Sequence, residues 1–251
     1  MGLGDSRRLG ILPLQLLEQM KFIFYSHKDY SDVWPVMFGQ AEKYLSQYQK
    51  VLFTNEGDAP DGWDILYYDD SLPYQQRVLS CLRRLEDEMV VFHHEDMFLY
   101  DKPNQEALEY FASVVGQDKV SFVKLLRGGY SDGLVESEYP GLVVSPQNMV
   151  FTIQPTICKK KNLEIMYRET PGNSIWEFEA NTHKTTARHN FTGCMAFEKS
   201  DKKRGMYHYD SSVYPYIATG VVKGKWYTSD YPELRDILNE YQININIRGE
   251  I

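Results

Sequence analysis

The sequence predicts an α/β fold, a mostly parallel central sheet flanked by helices, with an irregular second half. Three observations carry this. Short, nearly continuous apolar runs at 21–25, 51–53, 64–68 and 89–92 suit strands buried on both faces, as parallel strands are. Segments with apolar residues at helical spacing follow the first, third and fourth of these runs. Each run ends in polar or acidic residues, and in such sheets ligands gather beyond the carboxyl ends of the strands.

The elements follow in order. Residues 1–19 read as a leader, tag or loose arm. Arg7-Arg8 before Leu9-Gly10-Ile11-Leu12-Pro13-Leu14 loosely imitates a signal peptide, but Pro13 interrupts it and no small-residue cleavage site follows. A single domain spans 20–251. Lys21-Phe22-Ile23-Phe24-Tyr25 opens it as a strand, and Trp34, Met37, Phe38, Ala41, Tyr44 and Leu45 mark the first helix. Two more strands follow, ending at Asn55-Glu56 and at Asp69-Asp70. Ser71 is the expected N-cap of the next helix, with Pro73 in its first turn. Met89-Val90-Val91-Phe92 is the fourth strand, and Asn104 is positioned to cap a helix that Gly116 stops.

The second half is less regular. Strands are expected at 121–126 and 149–153, with a Gly/Ser/Pro-rich loop or hairpin over 128–148. Residues 168–212 are polar and aromatic with little periodicity, the pattern of binding loops. A helix returns at 232–241, with Asp230 as its expected cap. The regular half runs over about 20–120 and the less regular half over about 121–251.

Composition narrows the function. Thirty-five acids against 27 bases give a formal net charge of −8, which disfavours nucleic acid and polybasic membrane anchoring. No apolar run reaches the ~20 residues that span a bilayer. The three cysteines form no CxxC pair, and so sparse a set fits a reducing, cytoplasmic setting. No GxSxG is present, and the loop Ser26-His27-Lys28-Asp29 after the first strand has no glycine. Those absences count against serine hydrolases, Walker-type ATPases and dinucleotide-binding enzymes.

The strongest chemical signal is His93-His94-Glu95-Asp96 at the end of the fourth strand. Carboxylate and imidazole suit Mn²⁺, Mg²⁺ and related divalent ions, which bridge carboxylates to phosphates and neutralise a leaving group. On an extended segment His94 and Asp96 would share one face. The bland alternative is a solvated turn.

The order of Tyr25-Ser26-His27, then Asp69-Asp70, then a helix with Arg77, then His94-Glu95-Asp96 resembles the nucleotide-sugar glycosyltransferases of the GT-A fold. Their DxD motif sits at this place in the strand order and holds Mn²⁺ or Mg²⁺ against the donor diphosphate. The motif is degenerate here, with His94 where the first Asp usually stands. The resemblance implies a nucleotide-binding half at about 20–120, an acceptor-side half at about 121–251, and Asp96 and His94 at the metal. It implies Ser26, His27, Asp69, Asp70, Arg77 and Glu95 around a UDP-, GDP- or dTDP-sugar. Gln154 would line the donor sugar, Trp176 would stack on a sugar ring, and His183, Arg188 and His189 would form a basic loop over the diphosphate. Glu177 or Glu179 would be the base that deprotonates a glycan or other hydroxyl acceptor in an inverting reaction. Each has a plainer reading: Asp69 and Asp70 as caps, Arg77 and His27 as surface groups, Trp176–Glu179 as an alternating strand, Lys159-Lys160-Lys161 as a solvated turn. Tyr207-His208-Tyr209-Asp210 is a weaker acceptor candidate. The competing functions are a nucleotidyltransferase acting on a sugar phosphate and a non-catalytic carbohydrate-binding domain, which would explain the 19 tyrosines and four tryptophans but not the acidic strand ends.

Overall fold

The computed structural model describes residues 20–128, 133–145, 150–172, 174–204 and 208–251. The arm at 1–19 lies outside them, as do Met149 and Tyr207. The chain forms an α/β structure around a nine-stranded mixed sheet, mostly parallel, in the order β3-β2-β1-β4-β8-β5-β9-β7-β6. Four strands of the first half are mutually parallel: β1 (Met20–Tyr25), β2 (Gln49–Thr54), β3 (Trp63–Tyr67) and β4 (Met89–His94). The helices between them are α1 (Trp34–Leu45) and α2 (Tyr74–Leu82), and α3 (Gln105–Gly116) follows β4. Asn104 caps α3 by accepting from the Ala107 amide at 3.1 Å.

The second half completes the same sheet. β8 (Thr156–Lys159) runs antiparallel to both β4 and β5 (Phe122–Lys124), so those two point the same way. β9 (Gly193–Ala196) is parallel to β5, and the hairpin β6 (Val135–Glu136) and β7 (Leu142–Val144) closes the far edge. The carboxyl ends of β1, β4, β5 and β9 therefore share one edge of the sheet.

Alternation sorts the core. Phe22 and Phe24 of β1 pack on one face with α1, α3 and α6 (Glu233–Glu240). Ile23 and Tyr25 pack on the other with α2, α4 (Lys160–Glu169) and the first part of α5 (Ile175–Arg188). The hairpin β12 (Val221–Val222) and β13 (Lys225–Trp226) meets the short helix α7 (Ile245–Arg248). The small pair β10 (Lys203–Arg204) and β11 (His208–Tyr209) completes the fold.

Several expectations are corrected. The stretch 168–212 holds α5 and the central strand β9, so Trp176–Glu179 is helical, with Ser174 as N-cap accepting from the Glu177 amide. Among the described residues, 150–153 form no strand. Gln154-Pro155 precede a strand, β8, and do not end one. Ser71 does not cap α2. Pro73 holds that position, and Ser71 belongs to a turn fixed by Asp69. Asp230 does not cap α6; its carboxylate takes the Tyr227 hydroxyl. The lysines at 159–161 end β8 and start α4, with the Lys160 ammonium on the Leu85 carbonyl at 2.8 Å.

Candidate active site

The strand order reverses between β1 and β4, the position where an open α/β sheet opens a crevice at its carboxyl edge. The chain leaves β1 through Ser26 and β4 through His94. Ser26 is fully buried. Its hydroxyl accepts the Trp34 indole N–H at 2.7 Å and its carbonyl accepts from Tyr68 at 2.8 Å. Ser26 is thus wall, with no polar atom facing solvent.

His27, Asp70 and Arg77 come together beside it. His27 Nε2 lies 3.1 Å from Asp70 Oδ1, and Arg77 Nη1 lies 2.9 Å from the same oxygen. Arg77 also donates to the Asp70 and Leu72 carbonyls at 2.6 and 2.7 Å, which anchors the loop after β3. Asp69 is exposed and accepts from the Ser71 amide and hydroxyl at 2.9 and 2.7 Å, which holds its carboxyl below the usual range.

At β4 the extended backbone stops at His94, and a turn closes with the Met97 amide on the His94 carbonyl at 3.3 Å. His94 and Asp96 therefore do not share a face. His93 points into the first core face, stacked on Phe24 at 4.8 Å and bonded to the Tyr214 hydroxyl at 2.7 Å. His94 turns the other way, with Nε2 2.8 Å from the Tyr74 hydroxyl, itself 3.0 Å from the Tyr167 hydroxyl. Burial drives both imidazoles down to about 3, so His94 is neutral at physiological pH.

Glu95 and Asp96 occupy the turn, half-buried. Desolvation raises both carboxyls, and the Asp96 charge adds to the rise at Glu95. Asp96 Oδ2 accepts the Val221 amide at 3.0 Å, and its carbonyl accepts from Gly220 at 2.9 Å. Glu95 Oε2 is buried with no hydrogen-bond partner among the described residues. An orphaned carboxylate oxygen is costly unless something cationic or protonic meets it.

A cation stands close by. Arg248 of α7 forks onto Asp32 at 2.5 and 2.6 Å, with its guanidinium 5.0 Å over Tyr30 and 5.8 Å over Trp226. Its charge opposes the upward shifts of Glu95 and Asp96.

Among the described residues, no three His, Cys, Asp or Glu side chains converge as a ligand set. The buried, unpartnered Oε2 of Glu95, beside Asp96, fits an ion of the Mg²⁺ kind, which takes one or two carboxylates and completes its shell with substrate phosphates and water. His94 does not fit, because its Nε2 is committed to Tyr74.

A second group lies along the same edge, over β8. Glu179 accepts the Ile153 amide at 2.6 Å, two residues before Pro155, whose carbonyl accepts from Leu125. Lys124, at the end of β5, is buried and donates to the Val150 carbonyl and the Thr152 hydroxyl, both at 3.2 Å. Burial lowers its ammonium to about 8, with Glu179 opposing. Desolvation raises the Glu179 carboxyl. Gln154 is buried, linked to Thr152 and to the Tyr216 hydroxyl at 3.2 Å each.

Other predicted residues fall elsewhere. Glu177 is exposed in the first turn of α5, and two helical residues apart places it about 200° around the axis from Glu179. Trp176 is 80% exposed. His183 and Arg188 are helical, not loop residues. His189 caps the far end of α5, about 18 Å of helical rise from Glu177, and is held 2.7 Å from Glu169.

Sequence reasoning missed Tyr74, Tyr167, Arg248 and Lys124. Only Lys124 left a signal, a lone charge inside the apolar run Phe122–Leu126.

No family model matches the chain, and no curated protein matches it. Among solved structures it is similar to the bifunctional IspDF from Campylobacter jejuni, at 9% identity and a TM-score of 0.45 over 72% of this chain. The match takes in 50% of that protein, so this chain spans about half its length.

Proposed function

We propose that the chain transfers a sugar from a nucleotide-sugar donor to a hydroxyl acceptor. The observation that carries this is the half-buried Glu95–Asp96 turn at the β1–β4 reversal, with an orphaned Glu95 oxygen and Arg248 beside it. Such a turn suits a diphosphate with its counter-ion. Glu95 and Asp96 would hold Mn²⁺ or Mg²⁺, which when bound would offset charge on the departing diphosphate. Arg248, held in place by its fork onto Asp32, would add hydrogen-bond donors and a local positive field beside the turn. The His27–Asp70–Arg77 cluster suits the nucleoside end.

Glu179 is the preferred base. Its raised carboxyl brings it nearer the operating pH, which general-base catalysis favours. It takes the proton of the acceptor hydroxyl as that oxygen bonds to the anomeric carbon. The bond from that carbon to the diphosphate oxygen breaks, and the nucleoside diphosphate leaves with the electron pair. Glu177, on a different face of α5, is not placed to share this work. Nucleotidyl transfer to a sugar phosphate uses the same kind of crevice and is the second reading, but the glycine-free loop Ser26–Asp29 lacks the usual phosphate cradle.

A thermal-shift screen of UDP-, GDP- and dTDP-sugars against the matching nucleoside triphosphates, each with and without Mn²⁺, tests the proposal. A ligand that binds only the folded state raises its melting temperature. One diphosphate sugar should do so, more strongly with metal. A response to triphosphates alone would favour nucleotidyl transfer, and no response to any nucleotide would sink both.

A further inference from the structure

A cavity of about 700 Å³ opens at the same carboxyl edge, beyond the acid turn. Arg127 just past β5, Phe197-Glu198-Lys199 just past β9, Tyr139 at the entry to β7 and Glu136 at the end of β6 supply its lining. That size lies within the range of ordinary ligand pockets. Strand spacing sets its place. β9 is three strands from β4, about 14 Å at ~4.8 Å per step.

The lining has a definite chemistry. The Arg127 guanidinium lies 4.6 Å from the Phe197 ring and 4.3 Å from the Tyr209 ring, which are edge-on to each other at 5.8 Å. The Arg127 carbonyl accepts the Tyr209 amide at 3.1 Å, so this stack is tied to the backbone. On the rim, Lys199 pairs with Glu136 at 3.0 Å. Among the described lining residues, two bases, Arg127 and Lys199, are matched by two acids, Glu136 and Glu198. A balanced lining gives a phosphate or carboxylate no net attraction. Aromatic rings with fixed donors and acceptors of both signs instead suit a neutral ring bearing many hydroxyls. Glu179 accepts the amide of Ile153, in the segment that leads into β8, and β8 lies between β4 and β5 in the sheet order.

We infer that the cavity binds a neutral saccharide as the acceptor, with its reactive hydroxyl directed back toward Glu179. This deepens the glycosyl-transfer proposal and rests on it for the word acceptor; the saccharide site itself does not depend on a nucleotide.

The test uses the full chain and two separate measurements. A broad array of neutral and acidic glycans is screened without nucleotide, and the strongest binders are titrated by saturation-transfer NMR against the parent, Tyr139→Ala and Glu198→Gln. Nucleotide-sugar binding is followed on the same samples, and circular dichroism reports folding. A neutral glycan should bind, and each variant should weaken it about tenfold, the loss expected of one stacking face or one hydrogen bond. Nucleotide-sugar affinity should not move. Glu198 is a rim residue, so its variant keeps the test valid should Tyr139→Ala not fold. Binding of acidic glycans alone, affinities unchanged in both variants, or no glycan binding at all would overturn the inference. A failure of nucleotide binding with glycan binding intact would strike the transferase reading and leave the saccharide site standing.

Discussion

The Tyr74 hydroxyl lies 2.8 Å from His94 Nε2, and this contact fixes which way the last residue of β4 faces. Because the imidazole is neutral, Nε2 is free to accept while the Tyr167 hydroxyl meets Tyr74 from the other side at 3.0 Å. Tyr74→Phe leaves two buried polar groups without their partner. Chemical denaturation should show a loss of about 1–3 kcal/mol. An unchanged midpoint would mean that His94 is held by its ring contacts alone.

Gly220 marks the other support of the acid turn. A Cβ there would meet Phe98 Cε2 at 2.6 Å and the Asp96 carbonyl at 2.8 Å, distances that force the backbone apart. Gly220→Ala should cost about 1–3 kcal/mol from overpacking, read by the melting temperature. It should also weaken metal-dependent donor binding more than Tyr139→Ala does, because it moves Asp96 directly.

Lys124 gives a pH signature. The unfolded chain keeps this proton up to an ordinary lysine value of 10.5, while the folded chain releases it at about 8. Between those limits the unfolded state binds more protons, so raising the pH stabilises the fold, and below pH 8 the penalty is present in full. Lys124→Met should remove a pH-dependent term of about 3 kcal/mol. The readout is the parent-minus-variant stability difference from pH 7 to 10, which cancels the opposing contribution of the buried cysteines. A flat difference would show that Lys124 keeps its proton.

Glu179 and Glu177 separate cleanly. Glu179→Gln should lower kcat about 10²–10⁴-fold with donor affinity kept, as for loss of a general base. Glu177→Gln, on the exposed face, should stay close to the parent. Equal effects on both, in steady-state kinetics, would remove Glu179 from the base role.

Arg248→Gln should weaken nucleoside diphosphate binding about tenfold at low salt, with a smaller loss at high salt because added ions screen the attraction between the guanidinium and an incoming diphosphate. Isothermal titration at two ionic strengths checks this. Salt-independent loss would point to the Asp32 fork, and so to structure, as the cause.

The first half of the fold was legible because its strands are continuous apolar runs and its helices carry Leu, Val and Phe at helical spacing. α5 was not, because the residues it buries after Phe178 are Thr182, Thr185 and Thr186. Threonines satisfied by hydrogen bonds, such as Thr182 on the Phe151 carbonyl at 2.7 Å, leave no hydrophobic stripe. β9 has four residues, too short to show a period, whereas β5, inside the apolar run at 121–126, was legible. At the site, the acid turn was legible as acids after an apolar strand. The commitment of His94 to Tyr74 was not, since alternation along β4 stops where the turn begins. Arg248 reaches Asp32 across 216 positions, a relation that no local pattern carries.

The pairing of 96–104 with 213–221 has a further consequence. Asp96 is fixed by the Gly220 and Val221 amides, Phe98 by Ile217 and Tyr100 by Pro215. During synthesis the parallel strands β1 to β4 are complete more than a hundred residues before these clasps emerge. A ribosome-bound chain stalled near residue 200 would carry most of its sheet with the acid turn still unfastened. The proposed nucleotide binding should therefore switch on late, as the segment after 213 leaves the exit tunnel.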